Sequence, residues 1–185
     1  MDVFIEPIEP VERLVVFGAG HVARPTAAFA RELGFAVTVV DDREEWADAS
    51  RFPGVELRCT DPRRFAADLQ VDARTWILVT THDHRLDQDL VEALLPRPWA
   101  WMGLIGSRAK AAKFLIRMRA AGLDPARFAD LSTPVGLDIG AETPEEIAVS
   151  ICAEIVRVRR RAPGAPSGSR PTQPLSRGRT SRSSR

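Results

Sequence analysis

Short unbroken apolar runs and longer stretches of helical period take turns along this chain. The runs fall at residues 13–17, 36–40, 75–79 and 99–105, with a further, mixed strand near 55–58. Runs that are apolar throughout read as strands buried on both faces, the signature of a parallel sheet. Between them lie helical segments. The first, about His21 to Leu33, carries Ala23, Ala27 and Ala30 on one face and stops at Gly34. Pro25 falls near its first turn, where it does least harm. A second helix opens at Thr60-Asp61-Pro62 and ends near Leu69, and a third covers about 86–95. A fourth runs from Arg108 through Lys110, Lys113 and Arg117 to Gly122. The last, about 144–160, has Ile147, Ile151, Ile155 and Val158 as an apolar stripe, and Thr143, Pro144 and Glu146 as a capping box. Strand–helix alternation of this kind predicts an α/β fold, a doubly wound parallel sheet with helices on both faces.

Composition sets the limits of that domain. With 185 residues, 44% of them hydrophobic, there is enough chain for one sizeable core. Residues 1–12, with Pro7 and Pro10, read as a linker, 13–161 as the domain, and 162–185 as a disordered basic tail. The tail holds five arginines and no acid, so the net charge of +1 leaves 21 basic against 25 acidic side chains elsewhere. It reads as a solvated extension rather than as an arm for nucleic acid. No apolar run approaches the roughly 20 residues that span a bilayer, and the first residues lack a signal peptide's pattern. Cys59 and Cys152 are far apart without Cys-x-x-Cys spacing, and read as reduced thiols of a cytoplasmic protein. Cys152, in the last helix, reads as a small buried hydrophobe.

The candidate chemistry gathers where strands end. Gly18-Ala19-Gly20-His21-Val22-Ala23 has the G-x-G-x-x-A form of a Rossmann-like turn. Its first glycine allows the turn, the second admits a phosphate to the backbone, and the following helix start attracts an anion. Asp41 lies 21 positions after Gly20, where such folds place an acid on a ribose hydroxyl; the alternative is that it caps the next turn. Arg43 is either a phosphate contact or a surface arginine. Thr81, His82, His84 and Asp87 form a polar loop that meets a ligand or caps the following helix; by themselves they define no metal site. Gly106, Ser107 and Arg108 make a second strand–glycine–helix corner suited to an anion. Asp138 lies in a tight loop between Gly136 and Gly140. The lysines beyond Arg108 read as a solvated face, and no catalytic set is assigned.

The segments VVFGAGHVA (15–23), TVVDDR (38–43), RFP (51–53), THDHRLD (81–87), GLIGSR (103–108) and PVGLDIGAETPEEIAVSICAEI (134–155) occur in one order. In that order the chain resembles the C-terminal Rossmann-type domain of the XdhC/CoxI family, the xanthine dehydrogenase accessory factors. The resemblance covers about residues 4–160. It implies a cofactor-binding chaperone rather than an enzyme. Such a protein binds the molybdenum cofactor (molybdopterin), protects it during sulfuration and assists its insertion into a molybdenum hydroxylase. It also implies the hydroxylase as partner, allows a sulfurtransferase or cysteine desulfurase and a homodimer, and involves neither membrane nor nucleic acid. The ligand-facing candidates are Gly18, Gly20, His21, Asp41, Arg43, Thr81, His82, His84, Gly106, Ser107, Arg108 and Asp138. Family members carry a further domain ahead of this one, and whether another chain supplies it stays open. Two readings compete: an oxidoreductase-like domain that binds NAD(P), favoured towards NAD by Asp41, and a regulatory module that senses a nucleotide.

Overall fold

The computed structural model describes residues 11–120, 122 and 129–161, with backbone only at Arg108, Lys110 and Leu115. Strands β1 (Arg13–Phe17), β2 (Ala36–Asp41), β3 (Glu56–Cys59), β4 (Thr75–Val79), β5 (Trp101–Leu104) and β6 (Leu131–Ser132) form one sheet. Their order is β3-β2-β1-β4-β5-β6, and every pairing is parallel. The order reverses between β1 and β4, so the crevice for a ligand opens at the carboxyl ends of the central strands. This is the expected Rossmann-like α/β fold.

The helices are α1 (Ala23–Glu32), α2 (Pro62–Asp68), α3 (His84–Leu94), α4 (Arg108–Ala120) and α5 (Pro144–Arg159). Alternation along each strand divides the core in two. Leu14, Val16, Val39 and Leu78 face α1 and α5, where Ala23, Ala27, Ala30, Ile151 and Ile155 are fully buried. Val15, Phe17, Ile77 and Val79 face the other side, against Ala66 of α2, Leu86 and Leu90 of α3 and Met118 of α4. The small alanines of α1 let that helix lie close to the sheet. Cys152 is buried, as expected, and burial pushes its thiol up to about 12.

Several boundaries differ from the periodicity. Helix α1 starts at Ala23, because Gly20 to Val22 are used in the turn. Helix α3 starts two residues early, since the Asp83 side chain accepts the Arg85 N–H and caps it. Strand β5 is shorter than residues 99–105, and β3 is shifted by one residue. The two-residue β6 has no periodic signal of its own. Most of the expected linker and the expected disordered tail lie outside the described residues.

Candidate functional site

Each strand of the sheet's centre hands its last hydrogen bond to the loop beyond it. Gly18 N–H donates to Val40 O (2.8 Å), Thr80 N–H to Phe17 O (2.9 Å), Ile105 N–H to Val79 O (2.9 Å) and Val135 N–H to Leu104 O (3.1 Å). The loops that carry the candidate residues are therefore continuations of the ladder, set by the register of buried strands. At Gly18 the backbone is left-handed (φ 102°), and a Cβ there would lie 2.4 Å from Thr80 O. Only glycine fits, because the turn after β1 presses on the turn after β4. Gly20 differs: nothing lies within 4 Å of where its Cβ would stand. The protein itself does not demand a glycine there, and the backbone is open to approach. No side chain caps α1, and no acid sits in its first turn, so the helix start stays attractive to an anion.

Asp41 is nearly inaccessible, and both its oxygens are bonded within the protein. Oδ2 accepts the Ala19 N–H (2.7 Å) and Arg43 Nη2 (2.8 Å); Oδ1 accepts Arg43 Nε (2.9 Å) and the Arg43 N–H (3.1 Å). Burial works to raise its pKa, but the bonds from Arg43 and Ala19 outweigh it and hold the carboxyl below the usual range. Asp41 thus braces the glycine turn, and a ribose hydroxyl would have to displace Arg43 to reach it. Arg43 also lies over the Trp46 ring (4.8 Å to the centroid), as does Arg51 (4.7 Å), and exposed His21 meets that ring edge-on at 5.2 Å. Trp46 and Arg51 escaped the sequence reading; the RFP segment around Arg51 was their one signal.

The loop after β4 folds back upon α3. Thr81 donates to Asp87 Oδ1 through its N–H (3.2 Å), and its Oγ1 lies 2.6 Å from the same oxygen. His84 Nδ1 stands 3.7 Å from Asp87 Oδ2. Burial raises the Asp87 pKa, with the Thr81 bonds and His84 working against it. His82 is exposed and lines neither cleft described next.

Two clefts flank the end of β5 and share Ile105 and Gly106. One, of about 260 Å³, is lined by His84, Asp87, Lys113, Phe114, Arg117 and Thr133, among others. Lys113 and Arg117 thus face a cleft and not open solvent alone. Thr133 Oγ1 is buried there with no partner among the described residues. The other cleft, of about 410 Å³, is lined by the 134–141 loop, including Asp138, and by Ile147 and Ser150 of α5. Helix α5 pins that loop. Buried Glu154 accepts the Gly136 N–H and the Ser132 hydroxyl, and Ser150 Oγ donates to Leu137 O (2.5 Å). Gly136 is left-handed (φ 101°), with its missing Cβ 2.4 Å from Ser150 Oγ.

The candidates fall into two groups. Gly18, Gly20, His21, Asp41 and Arg43 surround the glycine turn, whereas His84, Gly106 and Asp138 line the clefts beside β5. Thr81 links the groups, reaching Asp87 next to the Gly18–Thr80 contact. Ser107 immediately precedes α4, its carbonyl accepting the Ala111 N–H (2.9 Å). The Arg108 side chain lies outside the described residues. Among the described residues no group of three His, Cys, Asp or Glu side chains could hold a metal ion. Nor is any helix there long and apolar enough to cross a membrane. The edge therefore offers cations and open amides to a polar anion.

Comparison with known proteins adds to this geometry. Residues 14–155 match the XdhC Rossmann domain family. A Bacillus subtilis protein named as a probable xanthine dehydrogenase subunit is 37% identical over 161 residues, 86% of this chain and 47% of that protein. The molybdenum cofactor insertion chaperone PaoD of Escherichia coli is 23% identical over 150 residues, 81% of this chain and 41% of that one. A crystal structure of a xanthine dehydrogenase from Bacillus halodurans superposes with a TM-score of 0.74 at 32% identity, covering 85% of this chain and 45% of that one. The chain spans less than half the length of each of these relatives.

Proposed function

This chain belongs to the XdhC family, and on that premise we propose that it is an accessory protein that carries the molybdenum cofactor as cargo to a xanthine dehydrogenase-type hydroxylase. The observation that carries the reading is the cleft beside β5, where Lys113 and Arg117 line one cavity with His84 and Thr133. A pterin bearing phosphate offers an anion for the cations and ring heteroatoms for His84. The names of PaoD and of the B. subtilis relative support the same direction.

In this reading the phosphate sits against the open amides near Gly20 or at the Gly106–Ser107–Arg108 corner. His84, Thr133 and Asp138 meet the polar ring. Thr81 and Asp87 keep the loop in place, and His21 guards the mouth of the glycine turn. Sulfuration takes its sulfur from a partner sulfurtransferase or cysteine desulfurase. The chain's own thiols suit that task poorly: Cys152 is buried, and Cys59 is on β3, at the opposite edge of the sheet from β5 and β6. Both cysteines are free, which goes with a cytoplasmic setting.

The test is retention. Purified protein mixed with the molybdenum cofactor is expected to keep it through gel filtration and to slow its oxidation to fluorescent pterins. Lys113→Glu with Arg117→Glu is expected to abolish retention while leaving the fold intact by circular dichroism. Absence of retention at micromolar protein, or heat from NAD in calorimetry without any from the cofactor, would overturn the proposal.

A further inference from the structure

Asp87 puts a carboxylate where the rest of the cleft is built for an anion. Its side chain is only 7% exposed, yet it lines the smaller cleft beside β5 together with Lys113 and Arg117. The loop after β4 needs one of its two oxygens. Thr81 donates its N–H to Oδ1 (3.2 Å), and the Thr81 hydroxyl lies 2.6 Å from that same atom. Thr81 does not line this cleft. Oδ2 stands on the side of His84, which does line it, and the 3.7 Å to His84 Nδ1 is too long for a hydrogen bond. Oδ1 thus serves the loop, and Oδ2 is the oxygen on the side of the cavity.

The fold has no use for the charge. An uncharged acceptor would hold the Thr81 N–H equally well, and burial works against the ionised form. A buried acid that the fold does not require, set on the wall of a cleft, points to a ligand. A carboxylate oxygen only accepts, so what it selects is an N–H or O–H donor. The other walls give the rest of the ligand. Leu104, Ala111 and Phe114 suit the face of a flat ring, and Lys113 and Arg117 suit an acid group attached to it. A simple anion such as inorganic phosphate would gain nothing from Asp87 and would be repelled by it. A fused ring with an amino group on its edge and an acid at its far end uses all three features.

We propose that Asp87 Oδ2 reads the 2-amino group of a fused 2-amino-4-oxopyrimidine ring, and so makes this cleft selective for that ring edge. The inference rests on the reading that the chain carries a pterin, and adds the residue that recognises it. Guanine presents the same edge, and the test separates the two sources. Asp87 is in this sense a specificity-determining residue: one oxygen fixes the loop, the other chooses the ring.

The test is a pair of binding titrations near neutral pH with the full chain. Pterin-6-carboxylate and lumazine-6-carboxylate share the acid group and differ at position 2, an amino donor in one and a carbonyl acceptor in the other. The pterin is expected to bind at least roughly tenfold more tightly, because the carbonyl would face the carboxylate. GMP against IMP, which lacks the 2-amino group, forms the guanine arm. A preference in the pterin pair places the ring as a pterin. A preference in the guanine pair alone supports the amino-group reading and moves it to a nucleotide. Asp87→Asn is the sharper probe. Its carbonyl would stay with the Thr81 N–H, which turns its NH2 towards the cleft and replaces an acceptor by a donor. The preference should then reverse towards lumazine, whereas loss of a merely structural contact would weaken both ligands alike. Equal affinities within both pairs, no binding of any of the four at roughly 1 mM, or an Asn variant that keeps the parent's preference overturns the proposal. Retention of the molybdenum cofactor is measured separately. Retention without any ring preference sinks this inference and leaves the carrier reading standing; ring preference without retention does the reverse.

Discussion

Asp41 shows how much one side chain's partners decide. From its place at the end of β2 it reads as a ligand residue, yet its carboxylate holds the Ala19 N–H and the Arg43 guanidinium. Asp41→Ala would leave a half-buried guanidinium and an inner amide without partners, a loss of about 3 kcal/mol in a urea melt. Asp41→Asn keeps an acceptor for the amide and should lose less. Gly18→Ala forces a Cβ against Thr80 O in a left-handed backbone, and should cost at least about 2 kcal/mol. His21→Ala should be nearly silent in the same melt, because the ring is exposed and touches Trp46 by its edge. If cofactor retention survives His21→Ala as well, the glycine turn is scaffold and recognition lies in the clefts beside β5.

At the scale of elements, α5 has two jobs on two faces. Its inner stripe of Ile151 and Ile155 completes the core beside α1, and Glu154 and Ser150 tie down the loop of the larger cleft. The helix itself is started by a complete capping box between Thr143 and Glu146. Thr143→Ala should cost about 1 kcal/mol and fray the first turn, seen as faster amide exchange there. Glu154→Gln is the sharper probe of the cleft: it keeps the shape and removes the charge that binds the Gly136 N–H. Ligand affinity should fall more than stability does. The capping box and the apolar stripe were readable from spacing alone. Glu154 was not, because an acid in an amphipathic helix reads as solvated unless the fold brings a loop beneath it.

For the whole molecule, pH acts on two of the buried carboxylates, Asp41 and Asp87, in opposite directions. Asp41 has a depressed pKa, so its stabilisation is present above the ordinary carboxylate value and is lost as pH falls through the lower folded value. Asp72, lowered to about 2 mainly by its bond from the Thr75 hydroxyl, follows the same sign but is largely solvated. Asp87 has a raised pKa. Its contribution is complete below the ordinary value and is lost as pH rises through the higher folded one, when a desolvated charge must form. Asp87→Asn should therefore gain stability relative to the parent between pH 4 and pH 7 in paired urea melts. A constant difference across that range would mean that Asp87 does not titrate there.

The fold was readable because its signals are local. A buried parallel strand must be apolar throughout, a helix start needs its cap within three residues, and a turn pressed against a neighbour must be glycine. Five of the six strands, their alternation with helices and the two glycine corners therefore stood out from the chain alone, as did the family resemblance that those segments carry. Whether a polar residue faces a ligand or another part of the protein depends on atoms distant in sequence. Asp41 turns to an amide 22 residues before it, Asp87 to the loop before its own helix, and Lys113 and Arg117 to a cleft that exists only once α3 and α4 flank β5. Burial and hydrogen-bond partners are properties of the packed sheet and its layers, so only the folded chain could sort braces from binding groups.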